Sequence, residues 1–347
     1  MVRDAHKAIL MPESPPAEPA ATAGGQLTES ILGFVVSQAI SVAAALRIAD
    51  RLAAGPRSAT ALAVAARADP DGLYRLLRLL AGHGIFTELP GGRFANSPQS
   101  QLLAEGPGSL RPLAVAVGEG GYPALGATRQ MVQTGEPAFQ LVFGAVWEEH
   151  LAGDPAARRR FNRSMAARRH ALVQVLADHA WGGTDIVVDV GGGNGALLVG
   201  LLERRPGLRG VVFDLPELVA EAAERIEAAG LAGRCQAVAG SFFQGVPAGG
   251  DAYLLAYVLH AWEDPGAREI LGQVRRVIGD HGRLLVAEEL VAPPNQPGGK
   301  AMDLLMAAVG GRERTEPEWR ALLADGGFTL AGIRSGPPAS VLEAVPS

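Results

Sequence analysis

Residues 185–195, Asp-Ile-Val-Val-Asp-Val-Gly-Gly-Gly-Asn-Gly, constrain this chain more than any other stretch. Ile186, Val187, Val188 and Val190 form a short β-branched run of the kind that makes a buried parallel strand. The run stops in glycines, and residues 196–205 then carry the pattern of a helix. Strand, glycine turn and helix open a nucleotide-binding βαβ unit. Glycine lets the backbone approach a ligand closely, and the free N–H groups of the helix start favour negative charge. A second strand over residues 210–213 ends at Asp214, where a carboxylate suits the two hydroxyls of a ribose.

Two adenosine ligands fit this unit. Gly191, Gly193 and Ala196 satisfy the dinucleotide pattern G-x-G-x-x-G/A, which taken alone is a weak signal. Asp189 favours the other ligand, because a carboxylate two residues before the first glycine repels a pyrophosphate. The same carboxylate can orient the ammonium of a bound amino acid. S-adenosylmethionine carries adenosine, ribose and an amino-acid tail, with no phosphate.

The 347 residues suggest two domains, each long enough for its own core. A net charge of −5 argues against general nucleic-acid binding, which needs phosphate-neutralising Lys and Arg. One cysteine, Cys235, leaves no intrachain disulfide framework and fits a reducing cytoplasm. Residues 1–25, rich in Pro, Ala and Gly, are expected to be a disordered lead-in without the apolar core of a signal peptide. Residues 31–46 are apolar but shorter than the about 20 residues needed to span a bilayer. They are expected to form a buried helix, packed in part against a second subunit.

A helical module follows over residues 26–105. Ser58 or Thr60 can cap one helix and Asp69-Pro70 another, before a hairpin around residues 90–92. Helices plus a hairpin resemble a winged helix, so DNA binding has to be weighed. Between residues 41 and 105 seven Arg face five acids, and the would-be recognition helix is mostly leucine. That composition suits packing better than base reading. Residues 106–180 are expected to be a helical connection, with Arg158, Arg159, Arg160, Arg163, Arg168 and Arg169 on a solvated face. Phe161 and Met165, four apart, share one side of that helix, as core or as pocket wall.

From residue 181 onward strands alternate with helices, which predicts a doubly wound, mostly parallel sheet. Strands are expected over 235–240, 252–259 and 282–288. Ligands bind at the carboxyl ends of such strands. Asp189, Asp214, Ser241, His260 and Glu288 all fall there, so one cleft can collect them. A neutral imidazole takes a phenol's proton near neutral pH and works better beside a carboxylate. Glu288 and Glu313 are the candidates for that carboxylate, with Glu289 competing for the Glu288 role. No His/Cys/Asp group has metal-ligand spacing in the sequence.

Five motifs in order carry a family resemblance: Val188-Asp-Val-Gly-Gly-Gly-Asn-Gly195, Phe213-Asp-Leu-Pro216, Gly240-Ser-Phe-Phe243, Leu259-His-Ala-Trp262 and Gly310-Gly-Arg-Glu-Arg-Thr315. Over residues 27–335 the chain resembles the plant-type small-molecule O-methyltransferases, whose bacterial relatives decorate antibiotics. The resemblance implies an α/β protein with a C-terminal Rossmann-like methyltransferase domain (181–347) and an N-terminal, mostly helical, winged-helix-like domain used for homodimerisation. It implies a cytoplasmic enzyme that uses S-adenosylmethionine and no metal, methylates an aromatic hydroxyl, and binds neither nucleic acid nor membrane. His260 is then the base, flanked by Glu288 and Glu313. Gly191 and Asp214 contact the donor, with Asp189, Gly193, Ser241 and Phe242 completing its site, and Phe161, Met165 and Met306 line the acceptor pocket. Two alternatives are a non-methylating use of the donor, such as decarboxylation or hydroxylation, and a donor-sensing regulator. The chain departs from the family in having Ser241 where Asp is usual, and Ala256 where many plant members have Lys.

Overall fold

The structure is a computed structural model that describes residues 22–106, 108–336 and 339–347. The lead-in expected over residues 1–25 lies outside the described residues up to residue 21, and its last part is already ordered. Thr22 caps helix α1 (Ala23–Ala45), accepting from the Gly25 N–H at 3.2 Å. The helix therefore starts eight residues before the expected position, and at 23 residues it is long and apolar enough to cross a membrane by length and composition alone. Its C-terminal half instead packs into a core through Ala39, Ala43 and Ala44. Leu27, Ile31, Phe34 and Val35, on one stripe of its N-terminal half, stay exposed.

The first domain continues with α2 (Ile48–Arg51), β1 (Arg57–Ser58), α3 (Ala59–Ala66), α4 (Pro70–Gly82), β2 (Phe86–Leu89), β3 (Arg93–Asn96) and α5 (Pro98–Gln101). Ser58 caps α3 and Asp69 caps α4, each satisfying an orphan N–H of the first turn. Leu73, Leu77 and Leu80 of α4 are buried at helical spacing, so its leucines pack inward. The connection comprises α6 (Arg111–Ala116), a π-helical turn over Val117–Gly121, α7 (Tyr122–Leu125), α8 (Thr128–Thr134), α9 (Ala138–Phe143), α10 (Trp147–Gly153) and α11 (Pro155–Ala177). Gly144 at φ +73 separates α9 from α10.

The remaining chain is β4 (Ile186–Val190), α12 (Ala196–Arg204), β5 (Arg209–Asp214), α13 (Pro216–Ala228), β6 (Cys235–Ala239), β7 (Ala252–Ala256), α14 (Asp264–Val277), β8 (Arg283–Glu288), α15 (Lys300–Val309), α16 (Glu316–Asp325), β9 (Phe328–Arg334) and β10 (Ser340–Pro346). Seven strands form one sheet in the order β6-β5-β4-β7-β8-β10-β9. The first five are parallel, while β10 runs antiparallel to both β8 and β9. Val187, Val188 and Val190 of β4 are fully buried, each worth about 1.5–3 kcal/mol of apolar burial. The chain winds outward from β4 to β6 and then returns to place β7 on the other side of β4. That reversal creates a crevice at the carboxyl ends of β4 and β7. The glycine turn follows one of these strands and His260 follows the other.

Candidate active site

His260 does not finish a strand. β7 stops at Ala256, and Tyr257 adopts a left-handed φ of +54°, which is uncommon for an aromatic residue. The backbone N–H groups of Val258, Leu259 and His260 all donate to Oε1 of Glu288, at 2.9, 2.9 and 3.3 Å. This buried carboxylate, in the concavity formed by three successive N–H groups, turns the chain out of the sheet. It is why the strand expected to reach residue 259 ends three residues early. His260 then sits in a short 3₁₀ turn, Leu259–Ala261.

The imidazole is buried with two carboxylates. Its Nδ1 lies 2.8 Å from Glu313 Oε1 and 3.6 Å from Glu288 Oε2. With Glu313 ionised, Nδ1–H donates to it, and Nε2 keeps its lone pair. Burial alone pushes the imidazole pKa down, but Glu288 and Glu313 outweigh it and hold the group above its ordinary value; Arg168 pulls the other way. Burial raises Glu288, helped by the charge of Glu313 and opposed by His260. Glu289, the competitor for the Glu288 role, lies one residue past the end of β8. Its carboxylate is 3.9 Å from Arg168 instead. His260, Glu288 and Glu313 bring possible ligand atoms within 4.8 Å of one another, a closeness that no ligand spacing in the sequence announces, because three distant segments supply it. Glu288 Oε1 is already engaged by three backbone donors.

At the glycine turn, Asp189 is buried, with Oδ2 lacking any hydrogen-bond partner. Burial raises its pKa to about 7, the charge of Asp214 adds to this, and Arg169 opposes it. Asp214 accepts the Gly193 N–H through Oδ2 and the Leu215 N–H through Oδ1, both at 2.7 Å. Burial raises its pKa too. A side chain at Gly191 would meet Val258 at 2.8 Å and Phe242 at 3.8 Å, so the turn, the His260 segment and Phe242 enclose one space. Ser241 is half-buried and its Oγ accepts the Phe243 N–H at 3.4 Å.

The acceptor-side residues are placed less uniformly. Phe161 packs edge-on against Trp147, their ring centroids 5.3 Å apart, within an aromatic group that includes Phe139, Phe143 and His150. Met165, one turn further along α11, packs against the core beneath the sheet. Met306, half-buried, is on α15 and its carbonyl accepts the Gly311 N–H. A cavity of about 210 Å³ is bounded by Phe143, Trp147, His150 and Phe161, among others.

The solvated basic face expected on α11 needs correction. Arg158 and Arg160 do face outward, near Glu217 and Glu119. Arg168 and Arg169 turn inward, because the next turns of α11 cross the carboxyl end of the sheet. The Arg168 guanidinium lies 4.3 Å from the centroid of the Tyr257 ring. Arg169 donates from Nη2 to Gly191 O at 2.6 Å and to Ala256 O at 3.3 Å, and a side chain at Gly193 would strike it. Sequence reasoning missed both residues. The available signal was a pair of adjacent arginines about a turn beyond Met165, in a chain whose glycine unit carries two acids, Asp189 and Asp214.

Comparison with known proteins bears on what this arrangement serves. Residues 126–329 match the O-methyltransferase domain family, and residues 28–106 match the O-methyltransferase dimerisation domain. The chain is 38% identical over 323 residues to the phenazine O-methyltransferase PhzM of Lysobacter antibioticus, covering 92% of this chain and 94% of that one. It is 36% identical to the O-demethylpuromycin-O-methyltransferase of Streptomyces alboniger, covering 99% and 95%. Among solved structures it resembles an O-methyltransferase from neocarzinostatin biosynthesis, in complex with S-adenosylmethionine and 2-hydroxy-5-methyl naphthoic acid. That likeness has a TM-score of 0.77 and 34% identity, over 90% of this chain and 96% of the other.

Proposed function

The chain belongs to the O-methyltransferase family, and from that premise we propose that it moves a methyl group from S-adenosylmethionine to a hydroxyl of an aromatic natural-product intermediate, with His260 as the base. The observation that carries the reading is the buried His260–Glu313–Glu288 group beside the glycine turn.

The residues at the turn fit the donor. The unpartnered Asp189 oxygen can take the ammonium of an amino-acid tail, and Arg169, between Asp189 and Asp214, can take its carboxylate. Asp214 retains lone pairs for ribose hydroxyls, Gly191 and Gly193 let Val258 and Arg169 close in on the turn, and Phe242 offers a ring face to adenine. Ser241 supplies an uncharged acceptor where the family usually has a carboxylate. When bound, S-adenosylmethionine supplies a methyl already activated by its sulfonium, so the chemistry asks for no metal.

The protein's own work is then alignment and proton removal. Glu313 fixes the imidazole tautomer through Nδ1 and leaves Nε2 to accept the hydroxyl proton. Glu288 holds the backbone of the turn and, with Glu313, stabilises the imidazolium that forms. Phe161, Met165 and Met306 serve as walls for a flat acceptor. The match to a dimerisation domain and the exposed apolar stripe of α1 support a homodimer, with residues 26–105 as the dimerisation unit, 106–180 contributing to the acceptor pocket and 181–347 forming the methyltransferase domain. The reading also includes a cytoplasmic location and no nucleic-acid or membrane partner.

A panel of phenolic acceptors incubated with methyl-labelled donor tests it, with products read by mass spectrometry. Label on an aromatic oxygen is the expected result. No label on any phenol, or a decarboxylated or hydroxylated product, contradicts it.

A further inference from the structure

The loop that delivers Glu313 also delivers Arg314, a fully buried arginine with no part in the chemistry proposed above. Its guanidinium makes five hydrogen bonds. Nη1 donates to Leu259 O at 3.2 Å and Arg312 O at 3.3 Å, and Nη2 donates to Trp262 O at 2.9 Å. Nε and Nη2 both reach Asp264 Oδ1, at 3.0 and 2.9 Å. The face of Trp319 lies 5.4 Å away. Leu259 and Trp262 bracket His260, and Asp264 begins the helix that follows. Between them, the Arg312 N–H donates to His260 O at 2.7 Å, and Gly311 approaches so closely that a side chain there would strike the same carbonyl.

We propose that Arg314 is a positioning residue for His260, fastening the carbonyls on both sides of it to the loop that carries Glu313. The proposal rests on the reading of His260 as base. The physical reason is leverage. His260 and Glu313 come from segments 53 residues apart, and their 2.8 Å contact exists only while the two backbones are held together. Glu288 anchors the turn from the sheet side through its N–H groups, which leaves its carbonyls to be fixed from the other side. Arginine suits that task because its rigid fork holds several acceptors at once, whereas lysine presents a single point of charge.

The test uses the full-length protein and a phenol that it methylates. Turnover, donor affinity and the pH–rate profile are compared for wild type, Arg314→Gln, Arg314→Lys, Asp264→Asn, His260→Ala and the double variant Arg314→Gln/His260→Ala. A misplacement of about 1 Å can cost about 100-fold in rate, so Arg314→Gln should lower kcat by roughly 10–100-fold, with donor affinity within about two-fold of wild type. The groups around the imidazole are Glu288 from β8, Glu313 and the Asp303 that accepts its N–H, Arg168 from α11, and the ring of Tyr257. Loosening the Glu313 contact removes a raising influence, so the acid limb should move to lower pH. Arg314→Lys should recover part of the turnover, and Asp264→Asn should cost a few-fold.

In the His260→Ala background, Arg314→Gln should cost nothing further. An equal factor in both backgrounds, or an unmoved acid limb, overturns the proposal and leaves the base reading intact. Near-normal turnover in His260→Ala removes the base reading and this proposal with it. Should Arg314→Gln fail to fold, Arg314→Lys and Asp264→Asn carry the same cycle, and the same outcomes decide.

Discussion

Glu288 is where stability and chemistry meet most sharply, and two substitutions separate its roles. In Glu288→Ala the N–H groups of Val258, Leu259 and His260 lose their common acceptor in a buried place. An orphaned buried donor costs about 1–3 kcal/mol, so three of them cost about 3–9 kcal/mol. Relief from burying a carboxylate offsets part of this, which favours the lower end. At about 2–4 °C per kcal/mol, the melting temperature should fall by about 6 °C or more. Glu288→Gln keeps an oxygen that can accept the three bonds and should melt within about 4 °C of wild type. Its missing charge, however, is felt by the imidazole 3.6 Å away. Exchanging a charged for a neutral partner removes about 1–1.5 kcal/mol, so turnover should fall roughly ten-fold and the acid limb of the pH–rate curve should move to lower pH. Thermal melts at fixed protein concentration and turnover from pH 5.5 to 8.5 provide the readings. A Glu288→Ala protein that melts like wild type refutes the backbone anchor. A Glu288→Gln protein with unchanged turnover and an unmoved acid limb refutes the electrostatic role.

Three further outcomes follow from the same geometry. Asp214→Ala should weaken donor binding by about 1.5–3 kcal/mol if its bonds to the donor are charge-assisted, and unchanged affinity by calorimetry removes it from the site. Because burial holds the Asp189 carboxyl at about 7, a cationic tail arriving beside it must expel the proton. Below that pH donor affinity should therefore fall, by up to about ten-fold per unit, with proton release visible as buffer-dependent binding heat; flat affinity between pH 5.5 and 7 counts against it. Gly311→Ala would put a methyl 2.3 Å from the His260 carbonyl, so it should cut turnover by at least about ten-fold while leaving donor affinity in place, as separate calorimetric and rate measurements can check.

The parts of the fold legible in the sequence were those fixed by local pattern. The β-branched run and glycines of β4 announced the sheet, and Ser58 and Asp69 marked helix starts because capping is a matter of neighbouring residues. Legibility failed where long-range contacts override local preference. Residues 257–259 carry strand-forming side chains, yet a carboxylate from β8 captures their N–H groups and ends the strand. Gly24 and Gly25 look like linker, but lie within α1 behind the Thr22 cap. The inward turn of Arg168 and Arg169 depends on how α11 crosses the sheet, which helix periodicity alone does not specify. The antiparallel pair β9 and β10 also went unread, since the strand alternation that pointed to the sheet stops at β8. Strand-end positions made His260 and Glu288 candidates for one cleft, and the fifth motif added Glu313. Only the structure supplies the anchor that aligns them, and Arg314 gave no signal beyond its place next to Glu313.

The central claim is that His260 removes the acceptor's proton. Its most direct test is a pH–rate series on wild type and His260→Ala, with a phenol that the wild type methylates. The variant should lose roughly 10²–10⁴-fold in turnover at neutral pH, with donor affinity preserved. Part of that loss should return as the pH rises, because more of the phenol then ionises in solution and needs no base. Wild-type activity should rise with pH through the titration of His260, whose carboxylate neighbours set that limb above the ordinary histidine range. A variant that keeps near-normal turnover at neutral pH contradicts the account, and would leave alignment of donor and acceptor as the whole of the catalysis.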